Sequence, residues 1–476
     1  MQDWPVHCRY HPCRPPINVT PIIRTQNTMN RIILVFLFLA NWLGACTPEE
    51  NYQGFLESSE PLVLANDQLT NAMVHDIFSP PVSSRIYAYA ALAPFEVAAF
   101  ADSENIQSLT GQLSGFEVKE FTPTSEVYYP MAALVAFYKV AATLVFSENL
   151  ITVHRDELYE KVRKLGMTKK TLEASIEFGE AMGQHVMDYA SKDNYHQSRS
   201  FEKYTIRSDA KSWKPTPPAY MEGIEPNWNK IRPFVLDSTD QFIPKPPTPF
   251  DIISESKFFQ EAKDVMEAVN NLNPEQREIA YFWDCNPYKM NVKGHVMYAE
   301  KKITPGGHWI GIAGIASKTA KLDWKATSET IILTAIAVFD GFISCWDEKY
   351  RSVLIRPETY INLYIDEDWV PLLQTPPFPE HTSGHSVIST AASRVLTDLL
   401  GQPFHFVDST EIKFGLGIRE FDSFNDAAAE AAISRFYGGI HYIPAVEYGA
   451  EQGELIARHV LSRIKTRKST TPLAVK

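Results

Sequence analysis

The chain contains few cysteines, with five among its 476 residues. Only Cys285 and Cys345 lie well inside the part of the chain that carries folding patterns, because the other three fall within the first 46 residues. A disulfide framework needs several paired cysteines, and a cysteine metal site usually shows them at close spacing. The sequence therefore predicts neither a disulfide-stabilised fold nor a cysteine metal site.

Positive charge is also in deficit. The 45 lysine and arginine residues are outnumbered by 57 aspartate and glutamate residues, which gives a formal net charge of −12. Domains that bind nucleic acid are usually basic, because they must neutralise phosphates. We therefore expect no nucleic-acid partner.

Alternating strand patterns are scarce, and no tandem repeat is apparent. Apolar residues recur instead at helical spacing. The long segments with this pattern are 82–100, 129–146, 172–190, 257–270, 274–283 and 324–347. The hydrophobic content of 45% is ample for a large buried core. We predict an all-α fold, a large helical bundle that forms one domain over residues 69–476, with its core motifs within 340–465.

Proline is abundant, and nine of the 32 prolines fall within residues 213–249. Such a density excludes regular secondary structure. The same segment contains Trp213, Trp228 and Phe234, which would be exposed if the segment were disordered. We interpret it as an ordered strap across the helices, with a disordered interdomain linker as the alternative.

The N-terminus carries an apolar run at 32–43 that follows a short basic region, as in a secretory signal, and is too short for a confident membrane span. It ends in Leu-Gly-Ala-Cys46, which resembles a bacterial lipoprotein processing box. We predict a non-native extension at 1–28, a signal peptide at 29–45 and a linker at 46–68. Lipidation of Cys46 would anchor the protein in the bacterial cell envelope, periplasmic or surface-exposed. An ordinary signal peptide or a single membrane anchor is the alternative.

The main chemical signal is a set of three short motifs in fixed order. They are Lys349 with Arg356-Pro357, then Ser383-Gly384-His385, then Ser434-Arg435 followed by His441. Arginine supplies a planar fork of donors, lysine a point charge, and backbone N–H groups donate without side-chain entropy cost. A buried cluster of like charges is unfavourable unless an anion lies within it. The set therefore predicts a site for a tetrahedral or trigonal-bipyramidal oxyanion.

The second motif is expected to open a helix. Ser383 is a good N-cap residue, apolar residues follow at helical spacing, and Gly401 is a plausible stop. Free N–H groups at a helix N-terminus favour an anion, and Gly384 lets the backbone approach it closely. Taken alone, an ordinary capped core helix explains this motif at least as well.

The first motif is ambiguous by itself. Lys349 and Arg356 are seven residues apart, which places both on one face if a helix continues through them. Pro357 disfavours helical geometry at Arg356, so Arg356 alternatively marks the point where the helix ends. A solvated charged face explains the pair equally well.

The third motif is expected to deliver a histidine onto a loop. A helix of small residues at 427–437 should end at Gly438-Gly439, which places His441 on the loop that follows. A lone histidine is more often a structural side chain than a reactive one. The three motifs in order are much harder to explain in that way.

Together, the three motifs resemble the signature of the superfamily that contains type 2 phosphatidic acid phosphatases and vanadium-dependent haloperoxidases. The context resembles the haloperoxidase branch, because Trp346 lies three residues before Lys349 and a proline-rich segment with Phe378 precedes the second motif. The family usually has proline where this chain has Thr382, which predicts a less rigid loop without loss of a ligand-type residue. The strongest match covers about the last third of the chain, and a looser one extends back to about Pro80.

The resemblance implies that vanadate binds at His441 and that hydrogen peroxide then oxidises a halide. The groups implied to neutralise the vanadate oxygens are Lys349, Arg356, Arg435, Ser383 and the N–H of Gly384. His385 would transfer protons, since imidazole titrates in the useful range. Trp346 and Phe378 would form apolar walls near the anion, which favours the peroxidase.

Two alternatives remain open. In an acid phosphatase, which needs no cofactor, His441 would attack a phosphate ester to form a phosphohistidine and His385 would protonate the leaving group. A non-catalytic helical surface lipoprotein would fit the lipidation and the helices, but it leaves the ordered motifs unexplained. We predict a vanadate-dependent haloperoxidase.

Overall fold

The computed structural model describes residues 51–468, apart from the side chains of residues 292 and 293. In that part the chain forms fifteen α-helices and two short two-stranded sheets. The predicted all-α helical bundle is therefore confirmed.

Seven helices precede the proline-rich strap along the chain. They are α1 (Tyr52–Glu57), α2 (Glu60–Asp76), α3 (Pro80–Ala101), α4 (Tyr129–Leu144), α5 (Glu148–Lys164), α6 (Lys169–Ala190) and α7 (Tyr195–Ser198). Helix α3 starts at two prolines, which suit the first helical positions, and nearly all of its residues are buried. It packs against α4 and α6, so it is central to this group of helices.

The linker predicted at 46–68 is wrong from residue 51 onwards. Helices α1 and α2 occupy that stretch, and the folded unit begins at Asn51. Phe55 and Leu62 are 5% and 2% exposed and belong to the main core. The stretch is helical because these apolar side chains are buried, whereas the acidic residues around them suggested a solvated linker.

The strap at 213–249 is ordered, as predicted, with a single 3₁₀ turn at Trp228–Lys230. Trp213, Trp228 and Phe234 are all fully buried. The buried carboxylate of Asp340 accepts hydrogen bonds from the backbone N–H groups of residues 234, 235 and 236 at 2.8, 2.9 and 3.2 Å. These bonds satisfy a backbone that cannot form a helix, which explains how the strap stays fixed.

The remaining helices follow the strap along the chain. The helices are α8 (Lys257–Asn270), α9 (Pro274–Phe282), α10 (Pro305–Thr319), α11 (Trp324–Ser352), α12 (Pro357–Tyr364), α13 (Gly384–Leu400), α14 (Phe424–Tyr437) and α15 (Ile443–Arg463). Helix α11 is long and apolar enough to cross a membrane, but the apolar window that meets this test is entirely buried. It is therefore the central core helix of the described part of the chain.

Both sheets are antiparallel pairs. Strands β1 (Met290–Lys293) and β2 (Val296–Ala299) form a hairpin, and β3 (Phe406–Asp408) pairs with β4 (Arg419–Phe421). In the second pair Phe406 faces Phe421, and both side chains are buried against the bundle. These strands are only three or four residues long, too short to show an alternating pattern.

Close packing of α13 on α15 brings the motifs together. Gly449 and Gly453 of α15 lie against the backbone of α13, where an added Cβ would stand 2.9 Å from the Ser383 carbonyl oxygen and 2.3 Å from that of Val387. Only glycine permits this approach. As a result, the start of α13 and the loop before α15 lie side by side.

Candidate functional site

The first motif spans a helix end. Helix α11 stops at Ser352 with Val353 in a left-handed conformation (φ 50°), and Arg356 is the N-cap residue of α12. The prediction that Lys349 and Arg356 share one helical face is therefore wrong, and the alternative is right. Pro357 is the physical reason, because it excludes helical geometry at Arg356 and suits the first position of a new helix.

The second motif opens α13 as predicted. The Ser383 hydroxyl oxygen accepts hydrogen bonds from the Ser386 N–H at 3.3 Å and the Ser386 hydroxyl at 2.9 Å. Gly384 is the first helical residue, and Gly401 is the C-cap. The remaining N–H groups of the first turn have no partner within the helix, which suits an anion.

The third motif also has the predicted local form. Helix α14 ends at Tyr437, and Gly439 adopts a φ of 76°, which turns the chain. His441 then lies on the short loop before α15. The Ile440 N–H donates to the Arg435 carbonyl at 3.2 Å, which fixes the loop to the end of α14.

The motifs enclose a small cavity of about 30 Å³. Six of the predicted site residues line it, namely Trp346, Phe378, Gly384, His385, Arg435 and His441. Cys285, which the sequence did not single out, also lines it. Residues from four separate parts of the chain thus converge on a single pocket.

His441 is held between a carboxylate and a guanidinium. Its Nδ1 donates to Oε1 of Glu380 at 2.8 Å, and its Nε2 accepts from Nη1 of Arg356 at 3.1 Å. Burial, reinforced by Arg356 and Lys349, holds the pKa of His441 well below its usual range. The ring is therefore neutral, and its Nε2 lone pair, which accepts from Arg356 in this structure, is the one that a metal would take.

Glu380 is a site residue that sequence reasoning missed. Besides His441, it accepts a hydrogen bond from the Tyr442 N–H at 3.0 Å, and it is completely buried. Burial raises its pKa to about 7. Histidine ligands are usually oriented by such a carboxylate on the other ring nitrogen. No spacing rule links two residues 61 positions apart, so only the position of Glu380 beside the second motif hinted at it.

Both arginines keep unsatisfied donors. Arg356 and Arg435 are 0% and 2% exposed, and burial lowers the pKa of each, to about 10 for Arg356. Arg435 donates to the Trp283 carbonyl at 2.6 Å. Within residues 51–468, Arg356 Nη2 and Arg435 Nε have no hydrogen-bond partner. Buried cationic donors without partners are strongly unfavourable, so they indicate an anion site.

His385 faces the same cavity. Its Nε2 has no partner among the described residues, and its ring also hydrogen-bonds the Trp283 backbone. Burial, followed by the charge of Arg435, holds its pKa well below the usual value. A neutral imidazole with a free nitrogen in the cavity can exchange a proton with a bound reactant.

Three residues expected to contact the anion, Lys349, Arg356 and Ser383, do not line the cavity, and of these only Arg356 keeps an unpartnered donor among the described residues. The Lys349 ammonium donates to three backbone carbonyls, those of Pro379, Glu380 and Thr382, at 3.1, 3.0 and 2.5 Å. The Ser383 hydroxyl caps α13. In this arrangement Lys349 and Ser383 fix the loop that carries Glu380, and Lys349 contributes positive charge from behind it.

The loop with Thr382 in place of proline is firmly held. The Thr382 hydroxyl donates to Gln452 on α15 at 2.8 Å, and the Thr382 carbonyl accepts from Lys349. These hydrogen bonds hold Thr382 at the position where the family usually has proline.

Two aromatic rings form the apolar wall. The centroids of Trp346 and Phe378 are 5.0 Å apart, and the Arg356 guanidinium carbon lies 5.1 Å from the Phe378 centroid. The indole N–H of Trp346 donates to the Ile224 carbonyl of the strap at 3.1 Å. The wall is thus fixed on one side by the strap and on the other by a cation–π contact.

The fold and the site together define a helical-bundle protein that binds an oxyanion between buried arginines and a neutral histidine. Vanadate fits this donor set. The unpartnered nitrogens of Arg356, Arg435 and His385 are suited to its oxygens, and the His441 lone pair is suited to its metal centre.

Comparisons with known proteins agree. The family model described as the VCPO second helical-bundle domain matches residues 329–469. A crystal structure described as that of the first bacterial vanadium-dependent iodoperoxidase is 46% identical, with a TM-score of 0.82 over 87% of this chain and 98% of that one. A holo-type bacterial vanadium-dependent chloroperoxidase is 15% identical, with a TM-score of 0.56 over 84% and 92% of the two chains. Its apo-type counterpart is 17% identical, with a TM-score of 0.57 over 81% and 95%. No curated protein matches the chain.

The chain belongs to the vanadium-dependent haloperoxidase family. It is an enzyme of the peroxidase class with vanadate as its cofactor. The haloperoxidase interpretation of the sequence is confirmed, and the phosphatase and the non-catalytic lipoprotein are not needed to account for the site.

Proposed function

We propose that the enzyme oxidises iodide with hydrogen peroxide and that the cavity at His441 is its active site. The observation that carries the proposal is the 46% identity to a bacterial vanadium-dependent iodoperoxidase across 87% of this chain. The aromatic wall of Trp346 and Phe378 supports it, since iodide is the most polarisable and least hydrated of the common halides. A water-excluding apolar wall favours such an ion over chloride.

The site residues have separate proposed tasks. Nε2 of His441 would coordinate vanadium, with Glu380 holding the ring. Arg356, Arg435 and the first N–H groups of α13 would neutralise the vanadate oxygens. Bound vanadate supplies an electrophilic centre that activates hydrogen peroxide towards the halide. His385 takes up and returns the proton that peroxide exchanges with the cavity, because its free Nε2 lies there and its pKa favours the neutral form.

The direct test compares halide oxidation by the purified protein with and without added vanadate. We expect iodide turnover to depend on vanadate and to exceed bromide turnover. Vanadate should also raise the melting temperature, because it binds the folded site alone, and phosphate should compete with it. Brisk hydrolysis of phosphate esters without vanadate, combined with no halide oxidation, would instead make the protein a phosphatase.

Phe378→His should change halide preference more than it changes stability. The new imidazole would stand beside Arg356 and Lys349, whose charges disfavour its protonated form, and it would make the wall polar. We expect the ratio of iodide to bromide turnover to change severalfold. The matched control is Phe378→Leu, which keeps the wall apolar and should leave the ratio close to that of the wild type. Equal ratios in all three proteins would show that the wall does not select the halide.

The enzyme is also proposed to be a lipid-anchored protein of the cell envelope. Cys46 and the apolar run at 32–43 lie outside the described residues, so this proposal depends on the processing box alone. Cys46→Ser should release the protein from the membrane fraction, since one lipidated residue is the proposed anchor. Cys345→Ser is the control and should remain attached. If Cys46→Ser stays in the membrane, the run at 32–43 is an uncleaved anchor instead.

A further inference from the structure

A second cluster of reactive side chains lies behind the cavity. Cys285 in the loop after α9, His308 on α10 and Glu411 after β3 are all buried, with exposed fractions of 2%, 0% and 3%. The sulfur of Cys285 lies 3.5 Å from Nδ1 of His308 and 3.8 Å from Oε1 of Glu411. Nδ1 of His308 lies 3.2 Å from the same Glu411 oxygen. Three atoms that can bind a metal, one each of sulfur, nitrogen and oxygen, therefore lie within 3.8 Å of one another.

The spacing of these atoms matches the ligands of a tetrahedral metal ion. With metal–sulfur bonds of about 2.3 Å and metal–nitrogen or metal–oxygen bonds of about 2.05 Å, a tetrahedral angle separates sulfur from either lighter atom by about 3.6 Å and nitrogen from oxygen by about 3.4 Å. The three observed separations of 3.5, 3.8 and 3.2 Å each lie within 0.2 Å of those values.

The histidine is already oriented as a metal ligand would be. Its other nitrogen, Nε2, lies 2.7 Å from Oδ2 of Asp408. Asp408 is fixed in turn by the N–H and the hydroxyl of Thr410, at 3.0 and 2.7 Å from its Oδ1. The ring stacks on Trp283 with a centroid distance of 4.4 Å. A carboxylate on the outer nitrogen fixes the tautomer and leaves Nδ1 free to coordinate.

We propose that Cys285, His308 and Glu411 bind a divalent metal ion at a site separate from the vanadate. A mixed set of thiolate, imidazole and carboxylate favours zinc, which accepts all three in tetrahedral geometry. Binding releases the Cys285 thiol proton to solvent, since the thiolate is the ligand. The site revises the sequence-based expectation of no cysteine metal site, because its ligands come from three elements far apart in the chain.

The proposed metal site adjoins a segment that contacts the active-site residue Arg435. Cys285 lines the vanadate cavity, and two residues earlier the Trp283 carbonyl accepts the hydrogen bond from Arg435. A metal at Cys285 would fix that segment to α10 and to the loop after β3. It would thereby hold Arg435 and the wall of the cavity in place.

The competing explanation is a cluster held by protons alone. In that arrangement His308 is an imidazolium between Asp408 and Glu411, and Cys285 is a neutral thiol beside it. The two explanations differ in metal content and in the ionisation of sulfur. Each difference can be measured without reference to turnover.

The test uses the purified protein, stripped by a chelator and checked for retained helical circular dichroism. Titration with cobalt(II) should saturate at about one equivalent and produce the near-ultraviolet charge-transfer absorption of a cobalt–thiolate bond. Zinc should abolish that absorption by competition. The absorption should be lost in Cys285→Ser and kept in Cys345→Ser, in which the other buried cysteine is changed.

Two further variants separate this site from the vanadate site. His441→Ala should keep the cobalt absorption. Glu411→Gln should weaken cobalt binding by at least tenfold, and it tests the site independently of whether Cys285→Ser folds. If the folded, stripped wild-type protein binds neither cobalt nor zinc, the metal site is excluded and the proton-held cluster stands. Persistence of the absorption in folded Cys285→Ser would also overturn the proposal.

Discussion

Replacement of His441 by alanine should abolish both halide oxidation and saturable binding of vanadate. Its neutral Nε2 accepts a hydrogen bond from Nη1 of Arg356 at 3.1 Å, and its lone pair is the proposed ligand of vanadium. Alanine removes the proposed bond to vanadium, whereas the surrounding cations remain. Loss of one hydrogen-bond donor from an oxyanion site costs about a hundred- to a thousandfold in rate, and loss of the only coordinating atom should exceed that. Vanadate titration by calorimetry, together with iodide turnover, measures both effects.

His385→Ala is the informative comparison for this variant. It removes proton transfer without removing the proposed vanadium ligand, so turnover should fall by about a hundred- to ten-thousandfold while vanadate still binds. Both histidines line the same cavity and are at least partly buried. A substitution that merely disrupted the cavity should therefore weaken vanadate binding to a similar extent at either position. If His385→Ala loses vanadate binding and His441→Ala retains it, the two assignments must be exchanged.

The local form of the site could be predicted from the sequence. Ser383 is a strong N-cap residue, and Gly439 permits the positive φ that follows α14. The residues within these motifs therefore determine the local backbone structure. The strap was also predictable, since tryptophans within a proline-rich segment need burial. In each case the signal lay within a few residues of the feature it determined.

Contacts between distant segments could not be predicted in the same way. The pairing of Glu380 with His441, and of Cys285 with Glu411, spans 61 and 126 residues without any periodic pattern. The three donors of Lys349 were expected to face the anion, but backbone carbonyls take them. The chemistry of a lysine is the same in either position, so only the path of the loop decides between them.

The prediction that the linker extends to residue 68 was wrong for a different reason. Residues 51–68 have acidic and polar side chains between their apolar ones, and such a composition suits a solvated segment. The helices of Phe55 and Leu62 nevertheless pack on the core, α1 against α2 and α4, and α2 against α10 and α11. Tertiary burial overrides local composition here, because a short amphipathic helix is stabilised mainly by the surface on which it packs.

Glu380→Gln should lower vanadate affinity by about ten- to a hundredfold with little change in melting temperature. The amide keeps the size of the side chain and can still accept from the Tyr442 N–H, which lies 3.0 Å away. It loses the negative charge that stabilises the Nδ1–H tautomer of His441 and strengthens its Nε2 as a ligand. Carboxylates in this position typically account for an effect of that size. Glu380 is thus a positioning residue that acts through His441.

Glu96→Gln provides the matched control for this effect. Glu96 is also a buried carboxylate whose pKa burial raises to about 7, and it accepts from Ser108 and the Leu109 N–H at 2.6 and 2.8 Å. It lies on α3 and does not line the cavity. Its replacement should therefore affect stability without changing vanadate affinity. If both variants lose affinity in proportion to a lowered melting temperature, Glu380 contributes only to folding. If Glu380→Gln alone loses affinity at an unchanged melting temperature, the carboxylate acts on the histidine that holds the metal.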